Sequence, residues 1–208
     1  MSRGRFFVLD GVDGSGKTTQ AQVWLQALSD ADRPKPLHLR EPGGTSAGEA
    51  LRALLLDRTT VLCPESETLL FAASRRQMLV EKVAPALESG RDVVCERFHA
   101  STFAYQAVAG GLNPDTVLAL LMAWASDPLP DLEVILYVDP ERALERRGQA
   151  RDRIEDRGLD YQRAVAEGYR QYVDRVERAV LIDGEGSEAQ VAARIAEAVR
   201  AASLEGRA

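Results

Sequence analysis

Phe6-Phe7-Val8-Leu9-Asp10-Gly11-Val12-Asp13-Gly14-Ser15-Gly16-Lys17-Thr18 is the stretch that decides the fold. Four consecutive apolar residues without polar alternation predict a strand covered on both faces. The glycine-rich turn that follows fits G-x-x-x-x-G-K-[ST] over residues 11–18. Beyond it, Ala21, Val23, Trp24, Leu25 and Leu28 mark the apolar face of a helix over 18–28. Between a strand and a helix, such a turn can aim successive main-chain N–H groups at phosphate oxygens, because glycine tolerates positive φ and close backbone approach. The positive end of the helix dipole adds to the pull. Gly11, Val12, Asp13, Gly14, Ser15, Gly16, Lys17, Thr18 and the adjoining Thr19 are therefore expected to bind ATP phosphates. Lys17 would reach the β- and γ-phosphates and the Thr18 hydroxyl would ligate Mg²⁺.

Working outward, short apolar runs alternate with helical stretches. Leu37-His38-Leu39, Asp92-Val93-Val94-Cys95, Val134-Ile135-Leu136-Tyr137-Val138 and Val180-Leu181-Ile182 predict four more strands. Further helices are predicted over 47–56, 65–87, 102–108, 115–125, 140–147, 159–176 and 188–201. Pro85 marks a kink or restart in the second of these, and Asn113-Pro114 opens the one at 115–125. Five strands separated by helices give an α/β class with a mostly parallel sheet. No repeat or low-complexity linker divides the chain, and residues 204–208 read as a frayed tail.

The 208 residues, 45% hydrophobic, suffice for one domain with a real core. With 26 Lys+Arg against 32 Asp+Glu the net charge is −6, which argues against nucleic acid or an anionic membrane as a partner. Cys63 and Cys95 form no C-x-x-C pair, and His38 and His99 stand apart from them. Neither a zinc site nor a disulfide framework is expected, and a reducing cytoplasm fits. The longest apolar run, 117–125, is too short for a bilayer, and the four apolar residues after Arg5 make no signal peptide.

The phosphate cradle, or P-loop, serves several classes. A GTP switch needs N-K-x-D, which the sole asparagine, Asn113, followed by proline, does not supply. A transport or motor ATPase needs further domains. A small kinase needs an acceptor pocket and an arginine-rich lid. The lid candidate spans 146–157, with Arg146, Arg147, Arg151 and Arg153 around Gly148, where a flap would hinge. The same run, rich in Asp and Glu, also reads as a salt-bridged helix surface. Asp13, a carboxylate that triphosphate would repel, suits a sugar hydroxyl or a metal-bound water. Asp10 serves equally as a strand-end turn residue.

Further segments make the chain resemble the bacterial thymidylate kinases over nearly its whole length. Gly11–Thr18 with Asp13, Arg40-Glu41-Pro42-Gly43-Gly44-Thr45, Leu70-Phe71-Ala72-Ala73-Ser74-Arg75, Glu96-Arg97-Phe98 followed by Ser101-Thr102 and Ala104-Tyr105-Gln106, and Asp152-Arg153-Ile154-Glu155 occur in the family's order. The resemblance implies a three-layer P-loop NTPase fold and one domain over 1–208. The P-loop would lie at 11–18, the acceptor segments at 40–45, 71–75 and 96–106, and the lid at 146–157. It implies transfer of the ATP γ-phosphoryl group to dTMP, for dTTP synthesis, in a cytoplasmic homodimer.

In that reading Phe71 stacks on thymine, and Arg75, one helical turn on, donates to a thymine carbonyl. Arg97 grips the monophosphate, Ser101, Tyr105 and Gln106 close over sugar and base, and Arg40 and Glu41 hold the framing loop. Lys17, Asp13, Arg97, Arg151 and Arg153 carry catalysis, while Thr18 and Glu96 hold Mg²⁺. Glu96 stands where the family has Asp, and Phe98 where it has Tyr or His. Gly14 replaces an arginine found in some relatives, consistent with arginine supplied from the lid. Alone, Phe71 and Tyr105 read equally as core aromatics. The Glu-Arg pair also resembles deoxynucleoside kinases, which act on a 5′-hydroxyl, and a non-kinase nucleotide binder is the remaining alternative.

Overall fold

The computed structural model describes residues 3–29, 34–147, 154 and 157–205. Five strands form one parallel sheet in the order β2-β3-β1-β4-β5, comprising β1 (Phe6–Gly11), β2 (Leu37–Arg40), β3 (Val93–Glu96), β4 (Leu132–Tyr137) and β5 (Ala179–Asp183). Around it run α1 (Lys17–Leu28), α2 (Ser46–Leu56), α3 (Pro64–Met78), α4 (Ala84–Glu88), α5 (His99–Thr102), α6 (Pro114–Trp124), α7 (Pro140–Arg147), α8 (Gly158–Val173) and α9 (Glu188–Glu205). This is the helix-flanked parallel sheet read from the sequence.

β1 lies between β3 and β4, with Phe7 beside both Val94 and Leu132. All its residues are buried. Phe6 and Val8 pack with Met78, Leu79, Leu87 and Phe98 on one face, and Phe7 and Leu9 with Trp24, Val134 and Ile195 on the other. The apolar run thus has no polar alternation because both faces are covered. The edge strands β2 and β5 depart from that expectation, with alternately buried and exposed residues. All five strands point the same way, so their C-terminal ends open at one rim, where an α/β sheet places its ligands.

The long helix expected over 65–87 restarts at Pro85, one of the two outcomes read there, with α4 opening at Ala84 and Pro85 in its first turn. α3 runs into a π-helical turn, Leu79–Val83, and then directly into α4. There the Ala84 N–H reaches five residues back to the Leu79 carbonyl. The widened turn lets the chain pass Pro85, which has no N–H to give. A second π-helical stretch, Phe103–Val108, continues α5 and carries Tyr105 and Gln106. α8 packs on it at Gly168, where a Cβ would come within 2.7 Å of the Ala104 Cα. α6 starts as expected, with Pro114 in its first turn and the Asn113 side chain accepting from the Thr116 N–H at 2.9 Å.

Glu133 on β4 is fully buried and accepts from Tyr172 Oη at 3.0 Å and from Arg178 Nε at 2.9 Å. Burial pushes its carboxyl up from 4.5 to about 7, although Arg178 and Tyr172 pull the other way. The folded state thus holds this proton more tightly than the unfolded chain. The stability it contributes is complete below pH 4.5 and is lost as pH rises through about 7. Glu133→Gln has no proton to lose. Between pH 4.5 and 8, urea denaturation should show the variant gaining on the wild type by about 3 kcal/mol.

Candidate active site

The site is built around the carboxylate of Asp10, at the rim end of β1 and without solvent exposure. Oδ1 accepts from the Gly11 N–H at 2.8 Å, Ser101 Oγ at 2.7 Å and Tyr169 Oη at 2.7 Å. Oδ2 accepts from the Phe98 and Ser101 N–H groups, both at 3.0 Å. One side chain therefore joins the start of the phosphate loop, the turn between β3 and α5, and α8. Of the sequence's two readings of this position, the structural one describes its contacts, and they reach much further than a local turn.

In the loop, Gly14 and Gly16 have φ of 87° and 89°. A Cβ on Gly14 would sit 2.0 Å from the Ala143 carbonyl oxygen of α7, so no arginine can occupy this position while α7 lies where it does. Lys17 is buried and donates to the Gly11 and Val12 carbonyls at 2.9 and 2.8 Å. Burial, reinforced by Arg97, lowers its pKa to about 8 against the opposing pull of Asp13. Thr18 Oγ1 donates to Glu96 Oε2 at 2.6 Å, and Glu96 Oε1 lies 2.9 Å from His38 Nε2. Lys17, Thr18 and Glu96, with Thr19, Arg40 and Arg147, line one cavity. Its arginine from the lid candidate is Arg147. Arg146 instead pairs with Glu185 at 2.6 Å, and Arg151 and Arg153 lie outside the described residues.

A second cavity, about 710 Å³ with its solvent-open part, adjoins the first and shares Asp13, Arg40 and Arg97 with it. Arg97 has a φ of 70°, a left-handed conformation that is rare without glycine and common at functional sites. Its guanidinium is bonded to Asp13 and, at 3.0 Å, to Ser101 Oγ, and it lies over the Tyr105 ring. Tyr105 Oη donates to Asp13 Oδ2 at 3.1 Å. Burial alone would raise the Asp13 carboxyl, but Arg97, Lys17 and Tyr105 outweigh it and hold the pKa at about 2.

Deeper in this cavity Phe71 presents its ring, half-buried rather than sealed in the core, and Arg75 and Gln106 form the polar wall. Arg75 is 1% exposed. Its Nε donates to both Glu41 oxygens, at 3.0 and 2.7 Å, and Nη2 to the Phe98 carbonyl and Thr102 Oγ1. Its Nη1 is buried without a hydrogen-bond partner among the described residues. Such an orphan donor costs stability unless something else accepts from it. Glu41 thus ties the framing loop to α3 through Arg75, and Arg52 ties it to α2 by donating to the Pro42 carbonyl at 2.8 Å.

Apart from Gly11, Val12 and Ser15, which line neither, the described residues that the sequence put in the site all line one of two touching cavities. The sequence reading missed Arg52 and Leu56 of α2, which also line the acceptor side. Their only signal is i,i+4 spacing on a helix that carries no motif. Ile154, quoted only within the lid motif, reaches that cavity as well.

The family model for thymidylate kinase matches residues 9–195. The chain belongs to the thymidylate kinase family. It is 41% identical over 184 residues to the thymidylate kinase of Caldanaerobacter subterraneus subsp. tengcongensis, covering 88% of each chain. With that of Halalkalibacterium halodurans it shares 40% identity over 209 residues, or 96% of each. The crystal structure of the Ehrlichia chaffeensis thymidylate kinase superimposes with a TM-score of 0.76 at 28% identity, covering 95% of this chain and 99% of that one. Thymidylate kinases are phosphotransferases.

Asp10→Asn should expose how far the site depends on one carboxylate. An amide nitrogen in place of either oxygen faces N–H or O–H donors and leaves at least one of them unpaired. A stability loss of about 2–4 kcal/mol is expected in urea denaturation, accompanied by weaker nucleotide binding.

Proposed function

We propose that this chain transfers the γ-phosphoryl group of ATP to the 5′-phosphate of dTMP, giving dTDP and ADP. The observation that carries this is the pair of adjoining cavities, one walled by the phosphate loop, the other by an aromatic ring and base-sized polar groups, with Arg97 common to both. The ATP phosphates lie along the loop amides of 11–18, where Lys17 exchanges its carbonyl partners for phosphate oxygens. The acceptor is a phosphate with a second pKa of about 6, largely dianionic at neutral pH, so no general base is needed. Bringing two polyanions together is the difficulty. Lys17, Arg97 and the lid arginines Arg147, Arg151 and Arg153 offset the repulsion by position and charge.

Thr18 and Glu96 supply adjacent hard oxygen donors on the donor cavity, the chemistry Mg²⁺ prefers. Among the described residues no three His, Cys, Asp or Glu side chains are grouped so that they could hold a metal ion by themselves. Such a grouping is not needed when phosphates and water complete the coordination. When bound there, the ion would neutralise charge on the transferring phosphates. The Glu96 carboxylate, engaged by Thr18 and His38, is poorly placed to deprotonate a 5′-hydroxyl, which favours a monophosphate over a nucleoside as acceptor.

On the acceptor side Phe71 stacks on thymine, Arg75 Nη1 donates to a base carbonyl, and Gln106 meets the base edge. Tyr105 and Ser101 flank the sugar and phosphate, and Asp13 orders Arg97 and accepts from the sugar. Arg40 and Glu41 hold the rim. The whole chain acts as a single domain in the cytoplasm, without nucleic acid or membrane as partner; no described helix is long and apolar enough to cross a membrane. A homodimer is supported by α6. Its expected apolar character splits, with Val117 and Leu121 buried but Trp124 73% exposed. Leu54 of α2 and Leu69 of α3 are exposed as well.

ADP release measured with dTMP, dUMP, dCMP and thymidine should depend on dTMP most strongly. Release equal with and without acceptor would leave only a nucleotide hydrolase. Phe71→Ala should raise the KM for dTMP at least about tenfold while that for ATP moves less than about twofold. Trp124→Glu should shift the sedimenting species from dimer to monomer in analytical ultracentrifugation.

A further inference from the structure

Glu67 of α3 has no part in the assignments above and does not line either cavity. It is 2% exposed, and Oε1 accepts from Gln106 Nε2 at 2.8 Å. Arg157 Nη2 donates to both its oxygens, at 3.0 and 3.3 Å. Arg157 is itself fixed, donating through Nη1 to Tyr161 Oη at 2.6 Å, while Tyr161 Oη donates to the Tyr105 carbonyl at 2.7 Å. The Glu67 carboxylate is therefore held in one place from two sides.

The two ends of a glutamine amide have the same shape and opposite polarity, so its neighbours decide which end faces where. A carboxylate whose two oxygens already accept from arginine turns the Gln106 NH₂ group toward itself. Gln106 is 3% exposed and lines the acceptor cavity. Its Oε1 has no hydrogen-bond partner among the described residues and is the end left for that cavity. Arg75, on the same wall, keeps a buried Nη1 with no partner among the described residues, a donor that cannot become an acceptor. A complementary base edge presents a donor to Gln106 and an adjacent acceptor to Arg75. The N3–H and C4 carbonyl of thymine or uracil fit. Cytosine, with an acceptor at N3 and an amino group at C4, is mismatched at both points.

We infer that Glu67 is a specificity-determining positioning residue: by fixing the polarity of the Gln106 amide, it makes the acceptor cavity select a pyrimidine carrying N3–H and reject cytosine, without touching the ligand. The inference rests on the acceptor reading proposed above.

The test compares wild type, Glu67→Gln and the exchange Glu67→Gln/Gln106→Glu. It uses ADP release and calorimetric binding with dTMP, dUMP and dCMP. In Glu67→Gln the Gln106 amide can turn over, so the dCMP-to-dTMP ratio of kcat/KM should rise at least about tenfold. The dUMP-to-dTMP ratio, blind to this polarity because both bases carry N3–H, should stay within about twofold. In the exchange variant the amide now at position 67 donates to the carboxylate now at position 106. An oxygen again faces the cavity, and the dCMP-to-dTMP ratio should return to that of wild type. A folded Glu67→Gln protein with an unchanged dCMP-to-dTMP ratio overturns the inference, as does an exchange variant that fails to restore it. Should Glu67→Gln melt below assay temperature, the exchange variant decides alone, with loss of the dTMP preference as the adverse result. Absence of dTMP turnover in the wild type would sink the transfer reading. The binding ratios would then still decide the role of Glu67.

Discussion

A single buried carboxylate with five donors around it holds the catalytic rim in register. Asp10 ends the central strand, and the groups that converge on it belong to segments far apart in sequence: Gly11, Phe98 with Ser101, and Tyr169. The phosphate loop and the turn bearing Arg97 are thereby referred to one point. Phosphoryl transfer between two polyanions is catalysed mainly by positions of charge, so a shared origin for those positions matters more than the strength of any one contact. The left-handed backbone at Arg97 is sustained by the same network, since its flanking Phe98 N–H is one of the donors.

Around that point the charges of the site are set against one another. Arg97 leans on Asp13, Lys17 on the loop carbonyls, and Arg75 on Glu41. Each cation is kept near its working place without being left unpaired in a low-dielectric wall, which would cost several kcal/mol. Arg75 differs in having one nitrogen with no internal partner among the described residues.

The architecture was legible where one local rule decides. Phe6–Leu9 is apolar throughout because it is the central strand, and Gly11–Thr18 is dictated by backbone chemistry. The strands that follow kept their predicted order, and Asn113-Pro114 opened its helix as read. The acceptor residues were legible only through motifs resembling a family, because nothing in the spacing of Phe71, Arg97 and Tyr105 says that they meet. Asp10 was ambiguous because a carboxylate after a strand is ordinary in sequence, and its donors come from residues up to 159 positions away. Arg52 and Glu67 stayed hidden on helices, at positions that belong to no motif. The π-helical turns at Leu79–Val83 and Phe103–Val108 were not read from periodicity, because each is only five or six residues long. The exposed half of α6 could not be told from a buried one, as Met122 and Trp124 are as apolar as Val117 and Leu121.

The missing side chain at Gly14 has a consequence for how chains of this kind can diverge. A Cβ there would sit 2.0 Å from the Ala143 carbonyl oxygen, so a side chain on the loop and α7 compete for the same space. A chain can hang an arginine on the loop or bring that helix flush against it, and steric exclusion forbids both together. A side chain at position 14 therefore requires α7 to be seated elsewhere.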